Sequence, residues 1–487
     1  MKTKLCRFWL ICKINLIKDM MVGFSFRQRF LYISVLVVMA FGAFDARAEK
    51  TVVSGVAKSY AGKELSLKCY SDQIVYTERL LANSVVDELG NFTFVVDVDS
   101  PVQAFVPMDV CRGFIYLEPG ETYKISLPEY EERTLPQKLD PYFQPKDFLL
   151  SIEGLKKGDF NFQMMEFDDA FDYFSMKHLV YGAKKDSVLA SIENMQNIFP
   201  DLTKPYQREF MDYRFLLLEN LSDMSKDSVL LHFNKIGTNV YNSAFWDAFN
   251  NILNEFIAQT GGSEEFYIFK KIVEEENAKI LFAMLQNRYG VSDVNLMELM
   301  AIKIVADLAN NPIFNKENVF NLLHNMYGLL SSEENRKLLI AVETLVSSNF
   351  IGTYASDFEA FDHEGKARKL SDLKGKYVYI NACNSKVDKT LKDLNVLMRF
   401  HDAYKDNLVI VNLFLYDEVE DLAHYPAHFK AKMKFWQMPN PDAFRKIYGA
   451  VNVPSYFLID PEGKFLMNGA EPNDELRILL QRILLKQ

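Results

Sequence analysis

The hydrophobic period of this chain changes twice, and the two changes divide it into three bodies with separate cores. From residue 51 to about 148, short runs rich in Val, Phe, Tyr and Thr are cut by turn signals such as Ala61-Gly62-Lys63, Leu89-Gly90-Asn91 and Pro119-Gly120-Glu121. That spacing predicts a small β-sandwich. From about 159 to 348 the period becomes helical. Phe245, Phe249, Ile252 and Phe256 form a stripe at i, i+4, i+7 and i+11, and Ser331-x-x-Glu334 has the form of a capping box ahead of Leu338, Leu339, Val342 and Val346. From residue 352 strands and helices alternate. Strands are expected at 376–383, 408–416, 455–460 and 464–467, and helices at 388–404, 423–433, 442–448 and 475–485, giving an α/β sandwich around a mixed sheet. The expected organisation is multidomain: an all-β sandwich at 49–150, an all-α middle domain at 151–349 and an α/β domain at 350–487. A length of 487 residues fits about three domains.

The first 48 residues read as an export leader. Arg27 and Arg29 precede an apolar run over 30–44, and Ala46-Arg47-Ala48 is a small-x-small cleavage site with Glu49 as the mature start. The run is short against the roughly 20 residues a bilayer span needs. A cleaved signal peptide and an uncleaved signal anchor are the two outcomes it allows. Cleavage leaves no stable membrane span and places the chain in the periplasm or cell envelope. Residues 1–19 fit no signal logic, so translation starting at Met20 or Met21 is a further reading. Without the leader's eight basic and two acidic residues the chain keeps 47 basic and 63 acidic ones, a formal charge of −16. Such a balance disfavours nucleic acid as a partner. The cysteines left are Cys69, Cys111 and Cys383. An exported chain can form disulfides. A Cys69–Cys111 bridge and two buried free thiols both fit the sequence.

Three stretches, the third a turn directly after the second, carry a family resemblance. The first runs from Asp357-Phe358-Glu359-Ala360 through Gly365 to Leu370-Ser371-Asp372-Leu373-Lys374-Gly375-Lys376-Tyr377-Val378. The second, more specific, is Tyr448-Gly449-Ala450-Val451-Asn452-Val453-Pro454-Ser455-Tyr456-Phe457-Leu458-Ile459-Asp460, followed by the Pro461-Glu462-Gly463-Lys464 turn. Together they resemble the TlpA/ResA-like (redoxin) branch of the thioredoxin superfamily over about 135 residues, and imply a thioredoxin-like fold with Pro454 cis beside the active site. The family's active site is a C-x-x-C at the start of a helix. Ungapped alignment from Lys374 places Val387 and Thr390 at those two cysteines. Disulfide exchange needs a thiolate activated at a helix N-terminus and a resolving thiol. Neither residue supplies sulfur, so the resemblance implies the fold with a degenerate site and no catalytic residue.

Cys383, four residues earlier on the strand, is the one candidate for a lone redox thiol, set against the common reading of a buried small hydrophobe. What the resemblance leaves is binding. Val453, Pro454 and Ser455 would present a backbone edge to an extended peptide, with Asn384, Ser385 and Lys386 as the opposite lip. The implied partner is an extended peptide or an envelope protein. His424 and His428 are four apart but separated by Pro426, and no further ligand pattern accompanies them, so no metal is expected. Acidic runs such as Glu274-Glu275-Glu276 read as solvated surface. No Walker-type loop, G-x-G-x-x-G or G-x-S-x-G occurs, and no cofactor is expected.

Overall fold

A computed structural model describes residues 50–254, 256–257, 263–309, 311–347 and 350–484. The expected leader over 1–48 lies outside the described residues. The N-terminal part holds two sheets. One has the order β4-β1-β7-β9, from Asn91–Val96 (β4), Thr51–Val56 (β1), Thr122–Ser126 (β7) and Ser151–Ile152 (β9). The other has the order β3-β2-β5-β6-β8, from Glu78–Val85 (β3), Glu64–Tyr70 (β2), Val102–Met108 (β5), Cys111–Leu117 (β6) and Lys146–Leu149 (β8). In β4 burial alternates strictly, and Phe92, Phe94 and Val96 meet Leu65, Leu67, Val102 and Ile115 of the other sheet in one core. The alternation fails in β5 and β6. Phe105 is buried on the outward face, and Tyr116 joins the core of the helical part, because helices cover that face of the sheet.

Cys69 and Cys111 are free thiols, so the bridge left open by the sequence is not formed. Lys68 pairs with Phe105 and Cys111 with Met108, which puts β5 between the two cysteines. Two strand spacings are about 9.6 Å, beyond the ~7 Å Cα separation a disulfide tolerates.

The middle part is helical. Among the described residues ten helices run from Phe160–Tyr181 (α2) to Glu333–Ser347 (α11), after a single turn at Leu135–Leu139 (α1) capped by Thr134. Those used below are Pro205–Leu221 (α4), Lys226–Ile236 (α5), Ser243–Leu253 (α6) and Val294–Leu308 (α9). The stripe of Phe245, Phe249 and Ile252 lies on α6 and is buried. Phe256 is buried too, but past the helix end. The capping residue of α11 is Ser332, whose Oγ accepts from Asn335 N at 3.2 Å. Ser331, the expected cap, instead donates its N–H and hydroxyl to the buried Glu298, both at 2.6 Å. A buried carboxylate needs those donors more than the helix end does.

The C-terminal part is a seven-stranded mixed sheet of order β11-β10-β14-β13-β12-β15-β16. Its strands are Glu359–Asp362 (β10), Ala367–Lys369 (β11), Tyr377–Cys383 (β12), Leu408–Leu415 (β13), Lys434–Met438 (β14), Ser455–Ile459 (β15) and Phe465–Asn468 (β16). β12, β13 and β14 are parallel, and β10 and β15 antiparallel to their neighbours. Asp388–Tyr404 (α12) and Asp474–Leu484 (α16) bury one face, and Pro441–Tyr448 (α15) the other. The helix expected over 423–433 is two short ones, Val419–Ala423 (α13) and Ala427–Lys432 (α14), because Pro426 can start a helix but not continue one. β14 follows directly and was not read from sequence. Among the described residues no helix is long and apolar enough to cross a membrane.

Candidate functional site

The carboxyl end of β12 is where the expected site residues converge. β12 is buried on both faces and runs into a tight turn at Asn384. The Asn384 side chain is fully buried. Its Nδ2 donates to Leu415 O at 2.7 Å and to Asp417 Oδ2 at 3.0 Å, and its Oδ1 accepts from Lys386 N at 3.0 Å. Asp417 also accepts from Ser385 N at 3.2 Å. Burial raises the Asp417 carboxyl above the usual range, opposed by these bonds to Ser385. Asn384 therefore shapes the turn, and its amide is not the peptide-facing lip expected from sequence. All its polar capacity is directed inward.

The turn delivers Val387 to the N-cap of α12, half-buried, with no side-chain cap bond. Thr390, one turn on, is buried, and its Oγ1 donates to Asn384 O at 2.8 Å. Cys383 is 0% exposed and packs with Leu394, Leu397 and Phe414. Burial, then the nearby Asp417 and Asp393, push its thiol well above the ordinary range. Val453-Pro454 is a cis peptide. Ser455 pairs with Ala382, so Pro454 stands beside the end of β12. Val453, Pro454 and Ser455 are half-buried, and the N–H and C=O of Val453 carry no hydrogen bond among the described residues.

Sequence reasoning missed a second network beside Cys383. Tyr456 donates its hydroxyl to Asp393 Oδ2 at 2.7 Å, and Lys389 bridges Asp393 at 3.3 Å and Glu471 at 2.6 Å. Lys389 and Asp393 at i, i+4 were the available signal. His424 follows α13 and His428 lies in α14. Among the described residues no cluster of three or more His, Cys, Asp or Glu could hold a metal. Cys69 and Cys111, in the sandwich, are not brought to this site.

Two relatives fix the affiliation. The chain is 29% identical over 141 residues to the thiol-disulfide oxidoreductase ResA of Bacillus thuringiensis subsp. konkukian, spanning 27% of this chain and 78% of the relative. It is 30% identical over 141 residues, with the same coverage, to ResA of Bacillus anthracis. The chain belongs to the ResA-like thioredoxin family. No family model matches it. Among solved structures it is similar to the thioredoxin domain of a thiol-disulfide oxidoreductase from Bacteroides vulgatus, 23% identical, covering 28% of this chain and 98% of that one, TM-score 0.26. It is also similar to a thiol:disulfide interchange protein from Bacteroides sp., 24% identical, covering 28% and 91%, TM-score 0.26. Against this thioredoxin affiliation, the 487 residues contain no C-x-x-C, and Cys383 is the one cysteine after Cys111.

Proposed function

We propose that this thioredoxin-family chain is an exported protein of the cell envelope whose C-terminal domain binds an extended peptide and turns over no disulfide. The observation that carries the reading is the complete burial of Cys383, the sole thiol of that domain. Val387 at the helix start and a Thr390 hydroxyl already donated inward support a degenerate C-x-x-C position. A thiolate at a helix N-terminus is what the exchange reaction requires, and a valine cannot ionise. The free N–H and C=O of Val453 support binding, since an added strand needs one unpaired donor and acceptor facing it. The apolar run and Ala46-Arg47-Ala48 support export, and the acidic balance speaks against a nucleic-acid partner. Dithiothreitol-driven insulin reduction tests the reading. The rate with the protein should equal the rate without it, and a rate rising with protein concentration overturns the proposal.

The likeness to thiol-disulfide oxidoreductases favours a second reading, a thiol-disulfide oxidoreductase-related protein acting through Cys383 alone. It requires attack of the Cys383 thiolate on a disulfide, forming a mixed disulfide and releasing a thiol. Incubation with oxidised glutathione followed by peptide mass mapping separates the two. A glutathione adduct on Cys383 of the folded protein supports this alternative, and an unmodified Cys383 rejects it.

A further inference from the structure

A cavity of about 420 Å³ lies where the sandwich meets the helical part, between the 71–77 loop and helices α6, α9 and α11. Its loop wall is fixed without any ligand. Asp72 Oδ1 accepts from Ile74 N at 3.0 Å and Val75 N at 2.8 Å, Ile74 and Val75 pack on the helical core, and Asn250 Nδ2 donates to Gln73 O at 3.0 Å. The floor is apolar. Trp246, Leu299 and Leu338 are buried there, and the Trp246 indole N–H is already given to Val240 O at 3.0 Å. Arg79 and Lys337 stand at the lining, both exposed. Neither forms an ion pair within 4 Å among the described residues. The hydrogen bond Arg79 makes goes to Cys69 Sγ at 3.4 Å.

Two acids share the lining, Asp72 and Glu334. Asp72 is occupied by backbone N–H groups. Glu334 lies in the first turn of α11, where the helix end favours a negative charge, and accepts from Ser332 Oγ at 3.1 Å. Both acids thus have donors. Hydrogen bonds from its own backbone N–H and from Ser332 lower the Glu334 carboxyl, and the charge of Lys337 helps. Arg79 has Cys69 Sγ as its acceptor, but neither cation has a carboxylate within 4 Å among the described residues. A preformed apolar pocket with a few convergent polar groups is the usual form of a small-ligand site, and such sites favour domain junctions.

We propose that this cavity is a second binding site, for a small apolar carboxylate of the kind a peptide C-terminus presents, with its side chain on Trp246, Leu299 and Leu338 and its carboxylate between Arg79 and Lys337. No residue of it belongs to the end of β12, so it stands or falls independently of the function proposed above.

Titration calorimetry on the full chain tests it, with N-acetyl-phenylalanine, N-acetyl-leucine and N-acetyl-tryptophan as probes and the corresponding amides as uncharged controls. At least one acid should bind at millimolar concentration or tighter, and its amide should bind at least about tenfold more weakly, as expected for a lost charge-assisted hydrogen bond. The double variant R79Q/K337Q should weaken the acid about tenfold and leave the amide unchanged. Both side chains are exposed, so far-UV circular dichroism should show an unaltered fold. Ala341→Trp, which fills the cavity, should abolish binding. Absence of binding by all three acids at about 10 mM overturns the proposal. Equal affinity for acid and amide, or wild-type affinity in R79Q/K337Q, overturns it as well.

Discussion

Asn384 and Asp417 are 33 residues apart in sequence and 3.0 Å apart in the fold, and together they determine the turn that starts α12. Asn384→Ala removes the donors to both Asp417 and Leu415 O and leaves two buried acceptors short of a partner. The expected loss is about 2 kcal/mol, read as a lowered denaturation midpoint at unchanged slope. The sequence made Asn384 visible as a residue of the site but not its role, because nothing local announces a partner on the end of the next strand. Val387 and Thr390 were more legible. Their places depend on the register from Lys374 into β12 and on a helix expected to start at 388, and α12 does start at Asp388. The same locality explains the miss at Ser331. Its spacing to Glu334 has the form of a capping box, but the buried Glu298 from α9 takes the Ser331 hydroxyl and Ser332 caps the helix instead.

Among the elements, α4 and α5 are joined by a titrating contact. His232 Nδ1 lies 2.8 Å from Glu219 Oε2, and Glu219 is buried. The hydrogen bond to Glu219 raises the His232 pKa. Burial opposes it, the charges of Glu219 and Asp212 add to it, and Lys235 opposes it. A raised imidazole stabilises the fold fully below its unfolded pKa of about 6.5, and the contribution disappears as pH rises through the folded value. Stability should therefore fall between about pH 6 and 8 by more in the wild type than in His232→Gln, measured by urea midpoints across that range. No sequence pattern marks this pair, since the residues lie on different helices. Elements with a strong period, such as α6 and β4, were readable. β14 was not, being five residues long with both faces of its sheet covered, which removes the alternation that identifies a strand.

Across the whole molecule, the sandwich and the thioredoxin-like domain meet through two arginines. Arg133 pairs with Asp109 and with Asp442 of α15, both at 2.7 Å. Arg445 donates to Lys138 O of α1 at 2.7 Å, to Tyr416 Oη at 3.2 Å, and to the Ala450 and Val451 carbonyls at 3.1 and 2.6 Å. It therefore holds the strand approach to Val453 and Pro454 against the other domain. Arg445→Ala should speed amide hydrogen exchange in both 135–140 and 449–453, while exchange in β12 and β13 stays slow. Unchanged exchange at 135–140 would show that the arginine does not couple the domains. Polar contacts of this kind permit relative motion more readily than an apolar interface does. The succession of strand-rich, helical and alternating segments was legible from the changes of hydrophobic period. The contacts between parts were not, because single charged side chains at a seam look like any other surface residue in sequence.

The claim on which the functional reading depends is that no redox sulfur of the thioredoxin-like domain is accessible in the folded protein. Alkylation by iodoacetamide at neutral pH, followed by peptide mass spectrometry, measures it, with the half-exposed Cys111 as the internal standard. Cys383 should remain unmodified while Cys111 reacts, and should react fully only once the chain is denatured. Modification of Cys383 in the native protein at a rate equal to or above that of Cys111 would contradict the claim.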